Sequence, residues 1–308
     1  ISRITRKSPV YYISGLMAKY LNSYLQEHPA DVLIMPHLYP AETVTYMKRN
    51  GMNLPVTIAV MTDYTCIPFW EETDCDHYIL PHEALRKSCV KKGIPNEKIQ
   101  TFGIPVSKNC RLKISKEEAR KKLGLELNQK YFLTAGGSMG AGDFMELIQK
   151  LVSRTDTEQI LAICGNNRKA ERKLKKKFKE EARVTVLGFT DQMPLYLSAC
   201  DVVFTKPGGL TSTEAAVIGV PIIHTAPIPG CETINRRFFM RAGMSWSAAT
   251  LKGQVSKGIR LMNDLEAQKK MIDRQARQIH GDAVEQLYDF ICLQCNSVKN
   301  PYSQLDAE

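Results

Sequence analysis

Short apolar runs recur along the chain, and most are separated by segments whose apolar positions follow helical spacing. The runs Asp31–Met35, Val56–Met61, His77–Leu80, Tyr131–Ala135, Ile160–Cys164, Val184–Leu187, Val202–Thr205 and Ile222–Thr225 read as strands. Pro40–Asn50, Glu83–Lys92, Asp143–Ser153 and Thr211–Ile218 read as helices between them. Alternation of this kind predicts βαβ units, and hence an α/β fold of parallel sheets with helices on both faces. A polar stretch near Gly103–Lys116 marks a boundary, giving domains over 1–108 and 109–280 and a helical tail over 281–308. About three strands fall in the first domain and about five in the second. Three parallel strands make a poor independent domain, so the N-terminal one is expected to be incomplete. The start at Ile1, without a methionine, points the same way.

Composition narrows the class. A chain of 308 residues and 34.7 kDa can bury cores for two domains, and 44% hydrophobic with 24% charged residues is ordinary for a soluble globular protein. No apolar run approaches membrane-spanning length, and Ile1–Lys7 lacks a signal-peptide core. Nine scattered cysteines fit a reducing cytosol better than a disulfide framework. Cys292 and Cys295 have metal-like spacing, but neither a second pair nor a nearby histidine completes a zinc set, so no metal is expected. The net charge of +10 calls for an anionic partner. Its densest source, Arg168–Arg183, reads as a helix with a solvated basic face, with an anionic membrane surface as the alternative. One aromatic and no recognised binding motif argue against nucleic acid.

The chemistry concentrates after the strands, where open α/β sheets bind ligands. Four loops qualify: Gly136–Gly140, Gly165–Asn167, Gly188–Thr190 and Pro207–Gly209. The first, with Gly137 and Ser138, resembles a phosphate-binding turn but is neither a Walker loop nor a complete G-x-G-x-x-G. The last is the most telling. Gly208 and Gly209 let backbone approach a ligand, and the helix start that follows offers unpaired N–H groups to an anion. Glu214, one turn on, could hold ribose hydroxyls. Thr211 to Glu214 also fits a capping box, with Thr211 as N-cap, and the spacing alone leaves both readings open. After the next strand, Pro227 and Pro229 fix an extended loop through Gly230, and Glu232 and Asn235 lie one turn apart, placed to bind sugar hydroxyls. In the first half, His37 and Asp63 follow strands and are the candidates for an active-site base, though a lone histidine also serves as a structural hydrogen-bonder. Asp74-Cys75-Asp76 mimics an Asp-x-Asp metal motif and reads as incidental.

The stretch "TKPGGLTSTEAAVIGVPIIHTAPIPGCETIN" resembles the donor site of glycosyltransferase family 28, most closely the diacylglycerol glycosyltransferases. These are the monogalactosyldiacylglycerol synthases of plants and the processive diacylglycerol glucosyltransferases of bacteria. The resemblance continues through "GGSMG", "VLGFTDQMPLYLSACDVVFTK", "PVTIAVMTDYTCIPFWEETDCDHYILP" and "FGIPV". It implies a GT-B fold, two Rossmann-like domains facing a cleft, and an inverting transfer of glucose or galactose from a UDP-sugar to diacylglycerol. Phe189 would lie beside the uracil and Glu214 on the ribose. Gly208, Gly209, Leu210 and Thr211 would cradle the diphosphate, with Gly137 and Ser138 in the same donor site. Gly230, Glu232 and Asn235 would serve the sugar; Cys231 stands where the family often has glutamine, which leaves glucose and galactose open. No cofactor or metal is implied, because a helix terminus and basic groups carry the leaving diphosphate. The family's N-terminal Gly-rich loop ending in histidine has no match before Ser8. Transfer of N-acetylglucosamine to a lipid-linked peptidoglycan precursor, or UDP-sugar binding without catalysis, are the alternatives. A lipid acceptor further implies a cytoplasmic protein held at the inner face of the cell membrane. Arg3–Tyr24, mixing cations with Tyr, Ile, Leu and Met, suits an interfacial helix or a core helix.

Overall fold

The computed structural model describes residues 8–136 and 144–299. It forms two compact units, one running to Pro105 and taking in the segment from Asp282, the other spanning Val106–Gly281.

In the first unit, β1 (Val32–Met35), β2 (Val56–Val60), β3 (His77–Ile79) and β4 (Ile99–Gln100) pair in parallel, in that order. β4 was not expected. At two residues it has no periodicity to read, and only its pairing with Tyr78 and Ile79 makes it a strand. Ile58, Val60 and Ile79 form the buried face, and Leu287 completes it from the helix Ala283–Lys299. Phe290 of that helix meets His77 and Phe102 edge-on. The segment from 281, read in the sequence as a helical tail, is therefore part of the first unit, drawn there by an apolar face that its charged neighbours mask in the sequence.

Arg3–Tyr24, expected as one helix, is two over its described part: Pro9–Gly15 and Ala18–Glu27. Ser8 caps the first by accepting from the Tyr11 N–H at 3.2 Å, with Pro9 at the first helical position. Gly15 lies so close to Tyr46, on the helix Leu38–Arg49, that a Cβ would sit 2.6 Å from the ring. Tyr11, Ser14 and Ala18 are buried, while Tyr12, Ile13, Leu16, Met17, Tyr20 and Tyr24 face solvent. The segment is thus a core element on one side and an exposed apolar surface on the other.

The second unit carries β5 (Tyr131–Ala135), β6 (Gln159–Ile163), β7 (Val184–Leu187), β8 (Val202–Thr205), β9 (Ile222–His224) and β10 (Trp246–Ser247). All pair in parallel in the order β10-β9-β8-β5-β6-β7. This is the doubly wound Rossmann order, and its reversal lies between β5 and β8, where Ala135 pairs with Thr205. The two-residue β10 also escaped the sequence reading, for the same reason as β4. Phe132, Phe204, Ile148 and Leu261 centre the core. Gly258 admits the helix Leu251–Met262 against it, since a Cβ there would lie 2.1 Å from the Phe204 ring. Asp201 binds the Arg120 guanidinium at 2.8 Å and the Tyr131 N–H at 2.8 Å, fixing the helix Lys116–Leu123 to the start of β5. The basic segment is helical only over Arg168–Lys177, with Leu174 buried and Glu171 paired to Lys175.

Candidate functional site

At the carboxyl edge of the second sheet, β8 runs through Lys206 and Pro207 into the helix Gly209–Ile218. Its N-cap is Gly208, with no side-chain cap. The capping-box reading fails here: the helix starts earlier than expected, so Thr211 lies within its first turn rather than before it. The Ser212 N–H donates to the Gly208 carbonyl at 3.2 Å, and the amides of Gly209, Leu210 and Thr211 precede that first bond at the positive end of the helix dipole. Gly208 has φ −72° and ψ 145°, which any residue adopts, and a Cβ there would meet nothing within 4 Å. The fold therefore does not require glycine at 208.

Beside this helix start, a cavity of about 240 Å³ is lined by Ala135, Ile163, Gly165, Asn166, Phe189, Thr190, Met193 and Thr211. The loops after β6 and β7 therefore meet the Gly209 helix at one place, as the sequence pattern predicted. Phe189 is 71% exposed, an aromatic ring left open toward solvent. Gly137 and Ser138 lie outside the described residues. A smaller cavity of about 110 Å³ touches Gly136, Lys206, Thr225 and Gln254. The Gln254 Oε1 is buried there without a hydrogen bond among the described residues.

Glu214 sits in the second turn of the same helix, half-buried, and burial raises its pKa above the ordinary glutamate value. No side chain among the described residues hydrogen-bonds it. A partly desolvated carboxylate gains from a ligand that offers donors, which a ribose diol does.

The following loop enters its helix, Cys231–Arg241, through Gly230, whose φ of 114° and ψ of −126° exclude residues with a side chain. The Glu232 carboxylate accepts from the Ile228 N–H at 2.6 Å and so folds the loop back on the helix. Asn235, one turn on, is fully buried. One residue the sequence reading passed over stands beneath this site. His224, the last of β9, is fully buried between Ser212 and Ser245, at 3.0 Å from each hydroxyl. The available signal was a histidine closing an otherwise apolar strand.

In the first unit, His37 is the N-cap of Leu38–Arg49, its Nδ1 accepting from the Tyr39 N–H at 3.3 Å. The ring is exposed and packs on Tyr39 at 5.1 Å. An Nδ1 that accepts leaves the proton on Nε2, so the outward nitrogen is a donor. Asp63 lies half-buried in the loop beyond β2. In the Asp-x-Asp stretch, Asp76 binds Lys48 at 2.6 Å and accepts from the Thr57 N–H and hydroxyl, while Asp74 pairs with Lys98 at 3.1 Å. Burial works against ionisation of Asp76, but the bonds from Lys48 and Thr57 outweigh it and hold the carboxyl below its usual range. Both carboxylates are committed to structure. Among the described residues no three His, Cys, Asp or Glu side chains come together as a metal site. No helix among them is long and apolar enough to cross a membrane.

Comparison with known proteins agrees with this geometry. Residues 1–106 match the family described as monogalactosyldiacylglycerol (MGDG) synthase. Residues 115–278, more than half of the chain, match the glycosyl transferases, group 1. A processive diacylglycerol beta-glucosyltransferase of Staphylococcus carnosus is 30% identical over 262 residues, which cover 85% of this chain and 65% of that protein. The chain thus spans less than two thirds of this relative's length. Among solved structures, Staphylococcus aureus MnaA with UDP aligns with a TM-score of 0.68 at 17% identity, covering 94% of this chain and 83% of that one. Acinetobacter baumannii MurG aligns with a TM-score of 0.66 at 15% identity, over 91% and 78% of the two chains. The fold is the GT-B fold. An open helix terminus, the Phe189 cavity and a carboxylate with no hydrogen bond among the described residues stand along this edge of the second sheet, and the chain belongs to the glycosyl transferases, group 1.

Proposed function

We propose that the chain transfers a hexose from a UDP-sugar to the free hydroxyl of diacylglycerol, with inversion at the anomeric carbon. One observation carries the reading: the open amide end at Gly208–Thr211 adjoins the Phe189 cavity and lies one turn before Glu214, a carboxylate with no hydrogen bond among the described residues. Diphosphate, uracil and ribose need those three features at that spacing. Glu232 and Asn235 then stand for the sugar. Glucose is the favoured hexose, from the name of the Staphylococcus relative.

In this scheme the acceptor oxygen attacks the anomeric carbon as the bond from that carbon to the diphosphate oxygen breaks. The hydroxyl proton passes to a carboxylate base, assigned to Asp63, because the Nδ1 of His37 is occupied in capping. The Gly209 helix terminus offsets the charge gathering on departing UDP, and the scheme calls for no metal. The exposed face of Tyr12, Ile13, Leu16, Met17, Tyr20 and Tyr24 suits the interface of a bilayer, and the basic helix Arg168–Lys177 suits its anionic headgroups. The assigned place is the inner face of the cell membrane.

Labelled UDP-glucose or UDP-galactose incubated with the chain and diacylglycerol vesicles tests the reading. Labelled glycolipid is the expected product. UDP binding without product would make the chain a UDP-sugar-binding module, and absence of UDP binding would overturn the reading altogether. Glu214→Ala should weaken UDP about tenfold or more, as loss of charged hydrogen bonds to the ribose requires. Unchanged affinity would remove the ribose assignment.

A further inference from the structure

We propose that His224 is a positioning residue for the donor site, holding the diphosphate-binding helix and the sugar-binding loop in fixed relation through one buried ring. The inference rests on the UDP-hexose reading above.

Three elements meet on this side chain. Its Nε2 lies 3.0 Å from the Ser212 hydroxyl, in the Gly209 helix just past the free amides. Its Nδ1 lies 3.0 Å from the Ser245 hydroxyl, in the turn before β10. Its ring stands edge-on to Phe239 at 5.3 Å, one turn beyond Asn235 in the helix that also carries Glu232. The backbone is tied as well, since the Ser247 hydroxyl donates to the His224 carbonyl at 2.7 Å. Directly after His224 the chain enters the loop that leads to Gly230.

Burial first, and the Arg236 charge second, push the imidazole pKa down to about 3, so the ring is neutral at physiological pH. A neutral imidazole has one N–H and one lone pair. One serine must therefore accept and the other donate, and each hydroxyl can take either role. The network closes without charge and without an orphaned group. A fully buried, neutral ring has no route to an acceptor proton, which rules out a part in the proton transfer itself. What it can do is fix distance. The amides of Gly209, Leu210 and Thr211 on one side, and Glu232 on the other, are set by elements that share this contact. A shift of the Gly209 helix against the Cys231 helix would separate the sites for the two ends of the donor.

Two conservative variants separate positioning from mere support. The glutamine amide in His224→Gln reaches where Nε2 stands and can keep the Ser212 bond; the asparagine amide in His224→Asn reaches only the Nδ1 position and the Ser245 bond. Thermal unfolding and titration calorimetry with UDP and UDP-glucose are read on both. The expected result is a similar loss of thermal stability in the two. Only the asparagine variant should then lose affinity, about tenfold for UDP-glucose, with the glutamine variant within about twofold of wild type. Ser212→Ala should reproduce the asparagine result. Wild-type affinity in every variant, or losses that track thermal stability alone, would overturn the inference while leaving the UDP-hexose reading intact. A wild-type chain that binds no UDP would remove both.

Discussion

Glu42 and His224 are each fully buried, one in each unit, and the two sites solve the same problem differently. The second unit supplies a hydroxyl to each nitrogen of its imidazole. The first leaves both oxygens of its carboxyl, on the helix Leu38–Arg49, without a hydrogen bond among the described residues. Among the described residues the Glu71 Oε2 and Ser14 Oγ of the same unit also lack a hydrogen bond. Burial, with Glu72 and Glu71 adding to it and Arg49 opposing it, raises the Glu42 pKa to about 8. A buried polar group stabilises when it is bonded and destabilises when it is not. The contrast lies between these two side chains rather than between whole units, since Gln254 Oε1 and Gln275 Oε1 of the second unit also lack a hydrogen bond among the described residues.

The largest effect should come from breaking the satisfied site. His224→Ala would open a cavity and orphan two serine hydroxyls, a loss of about 3–5 kcal/mol by denaturant titration at pH 7.5. A loss below about 1 kcal/mol would mean that the serines find other partners, and the contrast with Glu42 would dissolve.

Relief of the unsatisfied site should run the other way. Glu42 has a folded pKa near 8 against an ordinary 4.5, so the folded chain holds the extra proton between those values. Its contribution is favourable below pH 4.5 and is lost as pH rises through about 8. Glu42→Gln should therefore stabilise by about 1–3 kcal/mol at pH 8.5, with the gain disappearing near pH 4. His224 has the opposite sign. Its folded pKa near 3 lies below the ordinary 6.5, so its contribution is present above pH 6.5 and is lost as pH falls toward 3. Hydrogen exchange followed separately in the two units should show the first losing protection on the alkaline side and the second on the acid side. Parallel loss in both would defeat the distinction.

The smallest effect on stability belongs to Gly208→Ala, because the new methyl meets open space and the backbone needs no glycine there. Stability should fall by no more than about 1 kcal/mol, the cost of exchanging glycine for the poorer N-cap alanine. UDP affinity should fall all the same, since in the proposed reading the methyl would stand where the diphosphate approaches. An unaffected affinity would move the phosphate away from this helix.

The legible parts of the molecule were those with a local signature. Strands long enough to show an apolar run, such as Tyr131–Ala135 and Val202–Thr205, appear at their expected bounds. The two-residue strands β4 and β10 did not show, because pairing with a neighbour is all that defines them. The helix start at Gly208 was placed too late for a related reason. Thr211 and Glu214 satisfy a capping box on paper, and only the backbone shows the helix already under way at Gly209.

By itself the sequence determined the α/β class and the post-strand loops that line the Phe189 cavity, since each element and loop shows in residues near one another in the chain. The tertiary structure decided what depends on distant partners. It joined the C-terminal helix to the first sheet, tied Asp74 and Asp76 to lysines, and enclosed His224 between two serines while leaving Glu42 without a hydrogen bond among the described residues. A side chain's identity states what bonds it can make; whether they are made depends on which groups folding brings within 3 Å, and no local pattern encodes that.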